Sequence, residues 1–187
     1  MLYLVGLGLT EKDLSLKAFE LLNKVNNIYV DTYTNYFDFD LLWLEKALGK
    51  KVNSLSREDI EKNPEFLDIA KNDDVALLVS GDPLVATTHT DILLRAIKKG
   101  VKTKVFHASS IYSAIAETGL HIYRFGKTAS IPYPEENFFP RSFYDVTVEN
   151  KQRNLHTMLL LDVKKEKNLF MNPKDAMDIL KKIDENK

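Results

Sequence analysis

Three clusters of small and polar residues stand directly after apolar runs, where they could meet a ligand. The first is Gly6-Leu7-Gly8-Leu9-Thr10. Two glycines between a strand and a helix let a ligand approach the backbone close to a helix N-terminus. The dinucleotide fingerprint needs a third small residue three positions after the second glycine. That position is Glu11, whose carboxylate would oppose a pyrophosphate, although Asp31 ends a second apolar run where a ribose-binding acid would stand. A plain tight turn uses the same two glycines. The second cluster is Ser80-Gly81-Asp82-Pro83, followed by Ala86-Thr87-Thr88-His89-Thr90. It offers a backbone kink, a carboxylate, three hydroxyls and an imidazole. A capped turn with solvated threonines would use the same residue types, but polar groups gathered at the end of a buried strand favour a ligand site. The third is Ser109-Ser110-Ile111, where serines either cap a helix or line one crevice with the other two clusters.

Other chemistries lack their residues. The chain has no cysteine, and His89, His107, His121 and His156 show no metal-ligand spacing, so no metal site is expected and each histidine reads as structural. No carboxylate pair, nucleophile elbow or Walker loop is evident.

The clusters must be held by strands and helices, and the hydrophobic pattern supplies them. Residues 2–7, 28–31, 51–55, 75–79 and 102–106 read as strands, with 75–79 (Val-Ala-Leu-Leu-Val) the clearest buried one. Between them, apolar residues recur at helical spacing. Leu14, Ala18, Leu21, Leu22 and Val25 form one stripe, for which Thr10 and Asp13 read as a capping box. Residues 41–48 and 91–99 end at Gly49 and Gly100, and Ser56 with Asp59 caps a helix interrupted at Pro64. Strands alternating with helices indicate a parallel α/β sheet. The pattern changes after Gly119. Residues 123–140 read as loop, with Gly126 in a turn, and 142–152 as a weak helix. Residues 156–163 read as a strong buried strand, and Asn172-Pro173 opens a last helix with Ala176, Ile179, Leu180 and Ile183 on its apolar face.

At roughly 150 residues per domain, 187 residues allow one large or two small domains. Lys+Arg total 26 against 27 Asp+Glu, a balance that argues against a general nucleic-acid binder. No run approaches the roughly 18 apolar residues of a membrane span, and the first residues lack the basic start of a secretory signal, so a cytoplasmic protein is expected.

Several segments, in order along the chain, are similar to those of the diphthine synthase family, in the tetrapyrrole-methylase-like class of S-adenosylmethionine (SAM) methyltransferases. They are residues 1–9, 29–34, 81–91 (Gly-Asp-Pro-Leu-Val-Ala-Thr-Thr-His-Thr-Asp), 119–120, 123–126 (Tyr-Arg-Phe-Gly), 130–132, 142–145 and 155–162. Gly-Asp-Pro is shared by the wider class, whereas Ala-Thr-Thr-His-Thr-Asp and Tyr-Arg-Phe-Gly are more specific. The resemblance implies a two-lobed α/β fold. A parallel-sheet N-terminal lobe would span 1–120, and a smaller, truncated α/β C-terminal lobe 121–187, with SAM bound between them. It carries cofactor contacts onto Leu9, Asp82, Val85, Ser110, Ile111 and Leu161. It implies methylation of the amino group of a modified histidine of translation elongation factor 2, in diphthamide biosynthesis, by a homodimer with no membrane or direct nucleic-acid partner.

SAM brings an activated methyl group on a sulfonium, so such an enzyme mainly positions a neutral amine and needs neither metal nor protein nucleophile. The resemblance names no catalytic residue; water could remove the proton, and His89 is only a guess. Asp31 stands where the family has Glu, and Asn154 where Gly is usual. The loop after Lys165 is shorter, and the family continues through further strands of the second lobe. Two alternatives therefore stand beside the main expectation: a truncated or split SAM-binding relative without turnover, and a methylase of the same class acting on a corrin precursor or ribosomal RNA.

Overall fold

The computed structural model describes residues 1–32, 41–62, 64–136 and 139–185. Tyr33 and Thr34, in the family-like segment 29–34, lie outside the described residues. The chain divides into two compact units, Met1–Ala114 and Ile115–Lys187. The sequence pattern puts the change at about residue 120.

In the first unit the order is β1 (Leu2–Gly6), α1 (Leu16–Leu22), β2 (Asn27–Asp31), α2 (Leu42–Leu48), β3 (Asn53–Leu55), α3 (Arg57–Glu61), α4 (Phe66–Ile69), β4 (Val75–Val79), α5 (His89–Lys98), β5 (Thr103–Phe106) and α6 (Ile111–Ala114). The strands form one sheet in the order β3-β2-β4-β1-β5, and every pairing is parallel. Parallel strands buried on both faces need apolar residues at successive positions. All five residues of β4 are buried accordingly.

The connections decide where a ligand can sit. From β1 the chain moves across the sheet towards β3, and from β4 it moves the opposite way, to β5. Right-handed crossovers then place the intervening helices on opposite faces. The core divides to match. Ala18, Leu22, Leu44 and Leu48 of α1 and α2 pack with Ala76 and Leu78 on one face. Ile60, Phe66, Leu67, Ile92 and Ala96 pack with Val75, Leu77 and Val79 on the other. β4 and β1 are neighbours whose exits diverge, which is the switch point where open α/β sheets bind ligands beyond the strands' carboxyl ends.

Helix boundaries follow local chemistry. Gly49 closes α2 in the left-handed conformation, and Ser56 with Asp59 forms the expected capping box of α3. The helix start after β1 differs from expectation. α1 begins at Leu16 and is capped by Ser15, whose hydroxyl accepts from Ala18 N–H. Thr10 and Asp13 take another role, described below.

The second unit contains β6 (Ala129–Ile131), α7 (Ser142–Gln152), β7 (Leu159–Leu161), β8 (Val163–Lys164), β9 (Leu169–Phe170) and α8 (Pro173–Glu185). β6 pairs with β7 in parallel and β8 with β9 antiparallel. Two expectations are corrected here. The long buried strand at 156–163 is only β7 followed by β8, and β7 is half-buried because β6 is its only strand neighbour among the described residues. β6 itself lies in the stretch read as loop, since three residues before Pro132 are too few to show a period. Gly126 does more than turn the chain, because a Cβ there would collide with the Asn150 amide. That buried amide accepts from Lys127 N–H (3.1 Å) and donates to Lys127 carbonyl (2.8 Å) and Thr157 hydroxyl (2.9 Å). α8 opens as expected: Asn172 Oδ1 accepts from Lys174 and Asp175 N–H at 2.9 and 3.0 Å. Its Ala176 and Ile183 join Ile131, Phe143 and Met171 in the unit's core.

Leu77 lies fully buried in the central strand. Truncation to alanine removes methyl groups from a site the sheet holds rigid, so Leu77→Ala is expected to cost about 2–5 kcal/mol in urea unfolding followed by circular dichroism.

Candidate functional site

β4, β1 and β5 are consecutive in the sheet, so the loops leaving their carboxyl ends are neighbours. Backbone hydrogen bonds join the first two. Gly81 N–H donates to Gly8 carbonyl (2.8 Å) and Gly8 N–H to Gly81 carbonyl (3.2 Å). The approach is close: a Cβ on Gly6 would come within 2.7 Å of Gly81 carbonyl oxygen and 2.8 Å of Ala108 Cβ. Gly8 has φ +79°, and a Cβ there would strike Asp13. The spaced glycines therefore allow three loops to pack together, and side chains at either position would push them apart.

Two carboxylates lock these loops. Asp13 Oδ2 accepts from Thr10 N–H (2.9 Å), Leu9 N–H (3.1 Å) and the Ser109 hydroxyl (3.3 Å), and Oδ1 accepts from the Thr10 hydroxyl (2.8 Å). It thus shapes the β1 loop and ties it to the β5 loop. The Thr10 hydroxyl, the Thr10 N–H, and then Leu9 N–H and the Ser109 hydroxyl hold its carboxyl below the ordinary value. Asp82 performs the second tie. Its Oδ1 accepts from Leu84 N–H (3.0 Å), and Oδ2 accepts from Ala108 N–H (3.2 Å) and meets His107 Nδ1 at 2.8 Å. Asp82 is buried, while the His107 side chain is 67% exposed.

His89 stands differently. It is wholly buried, with Nε2 3.2 Å from Oδ2 of the equally buried Asp31 and out of line for a hydrogen bond. A ring with no exposed atom surface cannot take a proton from a bound substrate, so His89 is set aside as the base. The Asp31–His89 contact instead links the end of β2 to the start of α5.

The sequence-derived residues fall into two groups. Leu9, Asp82, Val85, Ser110 and Ile111 all lie on the three loops or at their ends. Leu9 and Ile111 are exposed, Val85 is half-buried, and Asp82 and Ser110 are buried. Leu161 belongs to β7 in the other unit, where it is half-buried. Sequence reasoning missed Asp13 and His107. Asp13 looked like a helix cap, and His107 is 25 residues from Asp82 in sequence, so only its place at the end of β5 could have marked it.

This bed has a definite chemical character. Residues 6–10, 80–85 and 107–111 contain no Lys or Arg. α1 begins at Leu16, well past Gly8, so no helix N-terminus stands at the glycine turn as a dinucleotide site requires. Exposed Leu9, Leu84 and Ile111 beside the Asp82 and Asp13 carboxylates suit a ligand that is part apolar and part cationic. Among the described residues, no cluster of metal-ligating side chains occurs.

Comparisons with known proteins agree in one direction. The family model for tetrapyrrole (corrin/porphyrin) methylases matches residues 1–187. The diphthine synthase of Methanocaldococcus jannaschii is 43% identical over 100% of this chain and 75% of its own length. That of Methanococcus aeolicus is 43% identical over 99% of this chain and 73% of its own. A crystal structure of diphthine synthase superposes with a TM-score of 0.81 at 41% identity, covering 87% of this chain and 64% of that one. Another, from Entamoeba histolytica, reaches 0.89 at 36% identity over 100% of this chain and 73% of that one.

Because the folded-state Asp13 carboxyl titrates below its ordinary value of 3.8, its tie is complete above that pH and is lost as pH falls below it. Hydrogen exchange at the Leu9 and Thr10 amides should accelerate, relative to other loop amides, as pH is lowered through that range. In Asp13→Ala, which offers no acceptor, the same amides should exchange quickly at every pH.

Proposed function

The chain belongs to the tetrapyrrole (corrin/porphyrin) methylase family, and within it to the diphthine synthases; from that premise we propose that it methylates the amino group of the modified histidine of elongation factor 2, using SAM. The observation that carries the proposal is the loop bed at the β4–β1 switch point, apolar and carboxylate-lined and free of Lys and Arg. SAM fits that donor set, because it joins a flat adenine ring with largely apolar faces to a positive sulfonium and a positive ammonium. When bound it supplies a methyl group already activated for transfer. Leu9, Val85 and Ile111 would give it apolar surface, and Asp82 and Ser110 polar contacts. Asp82 acts chiefly by fixing the backbone of the β4 and β5 loops, since both its oxygens already accept hydrogen bonds. Such fixed loops need no reorganisation when the ligand arrives, which is how positioning contributes to rate.

The substrate is a translation factor, so the reaction would take place in the cytoplasm, and no helix among the described residues is long and apolar enough to cross a membrane. A homodimer is part of the same reading. It is supported by Leu94 and Ile97, exposed one turn apart on α5.

Incubation with labelled SAM and elongation factor 2 carrying the unmethylated intermediate should transfer label to the factor. Measurable SAM binding with no transfer would contradict the proposal. Asp82→Ala frees the Leu84 and Ala108 amides and should weaken SAM binding roughly tenfold, the equivalent of one lost charged hydrogen bond, with the fold intact. Calorimetry showing unchanged affinity would remove the β4 turn from the cofactor site.

A further inference from the structure

The Asp82–His107 pair is not explained by cofactor binding alone. His107 directs Nδ1 to a buried carboxylate at 2.8 Å, while its side chain is 67% exposed. With an ionised carboxylate at Nδ1, the single proton of the neutral ring sits on that nitrogen, which leaves Nε2 with a free lone pair. No other hydrogen bond of this ring occurs among the described residues. A purely structural staple would need only the Nδ1–H donor, which an asparagine could provide, and would not need a second nitrogen facing solvent. The pair also joins the β4 loop to the β5 loop, inside the bed assigned to the cofactor.

We propose that His107 Nε2 is the proton acceptor for the substrate amine, with Asp82 as the positioning residue that fixes its tautomer. This extends the functional reading above and depends on it. An amine in water near neutral pH is largely ammonium and has no lone pair to attack with. In the step assigned to His107, an ammonium N–H bond breaks and its electron pair stays on nitrogen. The proton forms the Nε2–H bond, giving an imidazolium beside the Asp82 carboxylate, and is then released to water through the exposed face of the ring. The Asp82 charge stabilises that imidazolium, as in other carboxylate–imidazole pairs. Among the described residues, charged groups approach the ring and its neighbours from several elements. Asp82 comes from the β4 loop, and Asp13 reaches Ser109 from the β1 loop. Lys17 of α1 and Lys104 of β5 lie over the ring of the preceding residue, Phe106, at 6.0 and 5.3 Å.

The discriminating variant is His107→Asn, whose side-chain amide can still donate to Asp82 but offers no basic nitrogen. It should keep thermal stability and bind SAM within about twofold of wild type, while kcat for methyl transfer falls about 10²–10⁴-fold. A second readout is independent of turnover. In ¹⁵N-labelled protein at neutral pH without SAM, His107 should show a protonated Nδ1 and an unprotonated Nε2, with that preference lost in Asp82→Asn. Wild-type kcat in His107→Asn would overturn the proposal, as would a ring protonated on Nε2 and bare on Nδ1. Failure of the wild type itself to methylate the factor would instead overturn the functional reading, and the base assignment with it.

Discussion

A carboxylate buried at the end of a parallel strand must find donors, because leaving it unpaired away from water is costly. Asp82 is in that position at the end of β4, and among the described residues it makes no ion pair with Lys or Arg. Its donors are the Leu84 and Ala108 amides and the His107 ring. Satisfying one buried charge therefore fixes the β4 loop, the β5 loop and the orientation of an imidazole together. The remaining features of the candidate site are arranged around that requirement.

Sheet topology makes the tie possible. Only because β1 lies between β4 and β5 do three strand ends stand side by side, and only because β1 and β4 send their chains in opposite directions does space open beyond them. The glycines at 6 and 8 then let the β1 loop lie against its neighbours without side chains intervening. Asp13 completes the arrangement from the opposite side by binding Ser109. The result is a bed of fixed backbone with apolar side chains exposed on it, suited to a chemistry in which the cofactor carries the reactive group and the protein supplies position.

Most of this architecture can be read from the residues. The run at 75–79 and its four companions have the continuous apolar character of strands buried on both faces, and their alternation with helices leaves little choice but a parallel sheet. The clusters at 6–10, 80–83 and 109–111 stand out because small and polar residues follow those runs, and the family resemblance singles out Leu9, Asp82, Ser110 and Ile111 within them. Other features depend on contacts distant in sequence. Thr10 and Asp13 have the spacing of a helix cap, and nothing local says that the helix waits for Ser15 while Asp13 reaches Ser109. His89 and His107 are alike as residues, and burial alone separates the ring sealed against Asp31 from the ring exposed beside Asp82. In the second unit β6 is three residues long, and β7 has one strand neighbour among the described residues, so the Leu-rich stretch around 159–161 promised more burial than one partner can provide.

The central claim is that the loops tied by Asp13 and Asp82 form the cofactor bed. Amide chemical-shift mapping with S-adenosylhomocysteine, the demethylated product of SAM, tests it most directly. The largest changes should fall on Leu9, Leu84, Val85, Ala108, Ser110 and Ile111. Silence at those amides, with changes beyond the amino ends of the strands near Met1, Asn26 and Asp73, would contradict the claim.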